Sequence, residues 1–70
     1  MIHSVYDLIS AGSLLGIHEG IADALKIDDG IAEGKEKPYG VREFPDWKIE
    51  KDAIEKALSK RGIPFIPLIF

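Results

Sequence analysis

The chain has no cysteine, which excludes disulfide staples, thiolate metal sites and a cysteine nucleophile together. Histidine is nearly as scarce, and His3 and His18 are the only two residues able to supply an imidazole. No run of about 20 uncharged residues exists to cross a membrane. The most apolar early stretch, Leu8 to Ile27, is interrupted by His18, Glu19, Asp23 and Lys26, and no basic segment precedes it as in a secretory leader. The expectation is a cytoplasmic protein without a membrane partner. A basic excess is missing too. Nine Lys and Arg against twelve Asp and Glu give a net charge of −3, which disfavours nonspecific nucleic-acid binding.

What is present is 70 residues, read as a single domain over 1–70. A domain this small buries only about 60% of the surface its unfolded chain exposes. Below roughly 70–80 residues the usual reinforcements are disulfides, a metal or a partner chain. With the first excluded and no metal motif in view, a partner chain is the expected reinforcement. Charge is unevenly spread: residues 1–34 sum to −5 and residues 35–61 to +2, while the last nine carry no charged side chain. Such asymmetry favours docking of the two halves within or between chains.

Residues 4–27 read as helical. Ser4 and Asp7 have the spacing of a capping box, and Leu14, Ile17, Ile21, Ala24 and Leu25 form an amphipathic stripe, either as one helix or as a pair broken near Gly12. Gly12, Gly16 and Gly20 make a row on the opposite side, beside Glu19 and Asp23. Three helix glycines cost roughly 1 kcal/mol each relative to alanine, and close approach of another backbone is one reason to keep them. Residues 28–38 read as a solvated loop in which Asp28-Asp29-Gly30 lacks the acid spacing of a calcium loop.

Residues 39–70 read as strand, helix and strand. Tyr39 to Phe44 carries strand-favouring residues between Pro38 and Pro45, and Asp46 is a candidate cap for a helix whose stripe is Trp47, Ala53, Ile54, Ala57 and Leu58. Lys51 with Glu55, and Asp52 with Lys56, have the spacing of paired charges on a wet face. Gly62, after Lys60 and Arg61, suits a left-handed helix cap. The tail Ile63-Pro-Phe-Ile-Pro-Leu-Ile-Phe70 is apolar on both faces of an extended chain, as in a strand covered on two sides. The fold class expected is therefore α+β, a small α/β domain: an N-terminal helix or helix pair, then a strand-helix-strand unit whose sheet is completed by a partner chain.

No catalytic constellation stands out. His3, Ser4 and Asp7 hold the letters of a triad, but a triad is defined by three-dimensional roles. His18, Glu19 and Asp23 could form a polar site with Arg42, although only Glu19 and Asp23 share a helix face. GSLLGIHEG has no phosphate-cradle spacing, and Arg61 to Pro67 matches a basic polyproline pattern in a segment too apolar to stand exposed. No cofactor or metal is expected.

The segment VREFPDWKIEKDAIEKALSKRG resembles in outline the wing and following helix of small excisionase-type winged-helix proteins. That resemblance implies a DNA-binding regulator. A recognition helix within Leu14 to Ile27, however, would have Lys26 as its only basic side chain.

The function expected is a non-catalytic interaction module, an obligate homodimer or the small subunit of a larger complex. Its interface would comprise Ile63, Phe65, Ile66, Leu68, Ile69 and Phe70 with the Gly12, Gly16 and Gly20 row. The alternatives are the DNA-binding regulator and an enzyme with its active site at a subunit interface, drawing on His18, Glu19, Asp23, Tyr39, Arg42 and Trp47.

Overall fold

A computed structural model describes residues 5–70. A short 3-10 turn, Val5–Asp7, leads into α1 (Ala11–Asp29), and a 15-residue connection leads into α2 (Pro45–Lys60). The two helices pack as a hairpin. The capping box expected at Ser4 lies outside the described residues. The cap that is seen is Ser10, whose hydroxyl accepts from the Ser13 amide at 3.1 Å. Gly12 does not break the helix, which runs on through Gly16 and Gly20 to Asp29.

Apolar spacing accounts for the packing between the helices. Leu14 and Ile21 of α1 meet Ile54, Ala57 and Leu58 of α2 in a buried cluster, with Trp47, Tyr6 and Ile9 packed around it. Pro45 occupies the first helical position of α2, where its missing N–H is no loss, and Asp46 lies in the first turn instead of serving as the cap. At the other end the expectation for Gly62 holds. Its φ is +69°, its amide donates to Ser59 O at 3.1 Å, and the Ile63 amide donates to Leu58 O at 3.0 Å, which is the Schellman arrangement.

The strand-helix-strand expectation is overturned, because the described residues form helices and no strand. Tyr39 to Phe44 is a turn: Gly40, at φ +66°, has its carbonyl accept from Glu43 and Phe44 amides at 3.1 and 2.9 Å. The Tyr39 and Val41 amides that a ladder would require go instead to Asp28. The wing of the winged-helix outline would need Trp47-Lys48-Ile49 as its second strand, and because these residues lie within α2 the wing is absent too. A strand needs a partner strand, and a two-helix hairpin presents side chains rather than backbone groups.

The tail is extended but unpaired. Ile63, Phe65, Leu68 and Phe70 pack against the helical core, whereas Pro64, Ile66, Pro67 and Ile69 face outward. The alternation has period two, with a one-residue slip at Pro67. One copy of the chain therefore covers one face of its own tail. No sheet completed by a second chain is needed for that.

Candidate functional site

Glu55 joins three parts of the molecule. The Nε2–H of His18 on α1 donates to Glu55 Oε2 on α2 across 2.8 Å, and the Leu68 amide of the tail donates to the same oxygen, also at 2.8 Å. His18 is buried by the tail, and the edge of its ring meets the Phe65 ring with centroids 5.4 Å apart. Lys51 is buried as well. Its ammonium lies 2.7 Å from Asp52 Oδ1, 3.9 Å from Glu55 Oε1 and 5.4 Å from the centre of the Phe70 ring. The expected Lys51–Glu55 pair is present, but it seals the tail against α2 rather than dressing a wet face. Asp52 takes Lys48 and Lys51 as partners and not Lys56. Hydrogen bonds from those two ammonium groups hold the Asp52 carboxyl below the usual aspartate range.

A second polar centre closes the opposite end of the hairpin. Asp28 is wholly buried, and its two oxygens accept from the Tyr39 amide at 3.0 Å and the Val41 amide at 2.8 Å, while Lys37 donates to its carbonyl. A carboxylate accepting two amides makes charge-assisted bonds that fix the course of the connection. Outside it, Arg42 grips Asp29 with two parallel bonds of 2.9 and 3.0 Å, and the guanidinium holds that carboxyl low.

The polar residues named from sequence are thus dispersed. His18 belongs to the Glu55 joint, Glu19 lies at the rim of the groove beside it, Asp23 is exposed on the outer face of α1, and Arg42 is at the far loop. Tyr39 and Trp47 do meet, edge to face at 6.2 Å, with the indole N–H donating to Tyr39 O. Among the described residues no set of three His, Asp or Glu side chains gathers as metal ligands. A nucleic-acid surface would have to gather Lys35, Arg42, Lys48 and Lys51 on one face, and of these Arg42, Lys48 and Lys51 are each engaged with a carboxylate.

Among the described residues, open grooves flank α1 on two sides. One, of about 590 Å³, runs between α1 and the tail and is lined by Leu15, His18, Glu19, Ala22, Phe65, Ile66 and Leu68. The other, of about 310 Å³, lies between Ile17 and Ile21 of α1 and Asp46, Trp47 and Glu50 of α2. The Gly12, Gly16 and Gly20 row lies on the outer face, and an added Cβ at any of the three would meet nothing within 4 Å. Nothing inside the described chain explains these glycines. Sequence reasoning missed Asp28 and Glu55 as organising residues. The one available signal for Glu55 was its spacing from Lys51.

No protein-family model, curated protein or solved structure matches this chain. Among the described residues no helix is long and apolar enough to cross a membrane.

Proposed function

We propose that the protein is a non-catalytic interaction module that self-associates through the outer face of its C-terminal tail and the adjoining side of α1. The observation that carries this reading is the exposure of Ile66 and Ile69, 84% each, on a segment whose other face is already packed against the core. Leu15 and Ala22 continue that apolar surface across the groove. Contiguous apolar surface of this kind marks an interaction site more often than an idle surface.

The Gly12, Gly16 and Gly20 row on the outer face of α1 offers a smooth backbone to a second helix. A second copy supplies an identical apolar patch, as a closed two-fold dimer requires.

The test compares the native chain with the Ile66→Asp/Ile69→Asp variant by size-exclusion chromatography and circular dichroism. Both side chains point away from the core, so the variant should keep its helix content and elute as a monomer while the native chain elutes as a dimer. Identical elution of the two folded proteins would contradict the proposal.

A further inference from the structure

We infer that the groove between Ile17, Ile21 and Trp47, walled by Asp46 and Glu50, is a docking slot for an arginine or lysine side chain of a partner protein, separate from the self-association face. Its floor is apolar: two isoleucines from α1 and the Trp47 indole from α2. Trp47 is held by packing on the core and by its N–H bond to Tyr39 O, so the ring is already fixed in place. Asp46 and Glu50 are one helical turn apart on the α2 side of the slot. Among the described residues neither has an ion-pair or hydrogen-bond partner, whereas Asp7, Asp29, Asp52 and Glu55 each have one.

An apolar floor bearing an indole, with carboxylates on one wall, is complementary to a side chain with an aliphatic stem and a cationic tip. The net charge of −3 attracts such a partner during approach. The two acids are not equivalent. Asp46 lies in the first turn of α2, where its charge already offsets the positive end of the helix dipole. Glu50 is one turn further in and is the main acceptor for the incoming cation. A neutral apolar segment would leave the acid pair unanswered, and an anionic one would be repelled.

Trp47 is the only tryptophan, so its emission and its indole resonance report on this slot directly. The probes are n-butylguanidinium with its neutral analogue N-butylurea, and the capped peptide Ac-Ala-Ala-Arg-Ala-Ala-amide with its citrulline counterpart. Both cationic probes should perturb Trp47, Ile17 and Ile21 with roughly millimolar affinity, as suits a ligand of few atoms. The neutral analogues should bind on the order of tenfold more weakly, Glu50→Gln should weaken the cations about fivefold, and Asp46→Asn should have a smaller effect. Equal response to charged and neutral probes would overturn the inference, as would silence of Trp47 up to roughly 50 mM butylguanidinium. Binding of the free cation with exclusion of the peptide arginine would overturn its assignment to a partner protein. Probe binding to Ile66→Asp/Ile69→Asp, whatever its oligomeric state, keeps this result independent of self-association.

Discussion

The two ends of the helical hairpin are closed in opposite ways. At one end a single buried carboxylate, Asp28, dictates the path of the connection by taking two backbone amides. At the other end eight apolar residues lie along the helices, and beyond the helix cap one amide, that of Leu68, is tied to Glu55. The first closure is specific and directional. The second is spread over many contacts, each of which is individually replaceable. The contrast bears on the proposed self-association: the amides of Tyr39 and Val41 are committed to Asp28, whereas Ile66 and Ile69 leave the outer face of the tail exposed.

The largest predicted effect falls on the directional end. Asp28→Ala leaves the Tyr39 and Val41 amides without acceptors and should cost about 3 kcal/mol, a large part of the roughly 3.5–10 kcal/mol expected for a domain of this length. Chemical denaturation followed by far-ultraviolet circular dichroism measures it. Asp28→Asn should lie between, since one oxygen is kept and the charge is lost. A cost below that of any single tail truncation would reverse the comparison.

Next comes the distributed end. Phe65→Ala removes a half-buried ring that packs on His18 and should cost about 2 kcal/mol, while Glu55→Gln, which keeps an acceptor but not the charge, should cost about 1 kcal/mol. Amide exchange sharpens the point: in Glu55→Gln the Leu68 amide should lose protection before the amides of α2 do.

The glycine row gives a smaller effect of opposite sign. Replacing Gly16 with Ala meets no steric obstacle within the chain, so the isolated protomer should gain about 0.5–1 kcal/mol, or roughly 4 °C in Tm. If the row borders a partner, the same substitution weakens association. A stabilised protomer with unchanged dimer affinity would remove the row from the interface.

The smallest effect is pH dependence. Asp29 and Asp52 both have carboxyls held below their ordinary range, chiefly by hydrogen bonds from Arg42 and from Lys48 with Lys51. Groups with depressed pKa values stabilise the fold above their unfolded values and lose that contribution as pH falls through the folded ones. Tm should therefore be flat above about pH 5 and decline toward about pH 3, and since both carboxyls are exposed, added salt should flatten the slope. A Tm that rises on acidification would contradict these assignments.

How far the sequence revealed this molecule follows from the same contrast. The helices were legible because periodicity and terminal chemistry are local: Leu14, Ile21, Ile54 and Leu58 mark the core, and Gly62 marks the stop. Asp28 was not legible, because a buried carboxylate in the run Ile27-Asp28-Asp29-Gly30 carries the same letters as a solvated turn. The tail showed that it must be covered but not by what. Apolarity on two faces reads as a doubly covered strand, whereas here one face meets the chain's own helices and the other is free. Tyr39 to Phe44 misled in a similar way, since strand-favouring residues form strands only beside a backbone with ladder bonds to offer.

The central claim is that the tail's outer face exists to be covered by a second copy. Light scattering of the native chain over a wide concentration range tests it most directly. The account predicts a mass that rises to twice 7.7 kDa as concentration increases and that stays at 7.7 kDa in Ile66→Asp/Ile69→Asp. A native chain that remains at 7.7 kDa up to roughly millimolar concentration, the weak end of specific association, would contradict it.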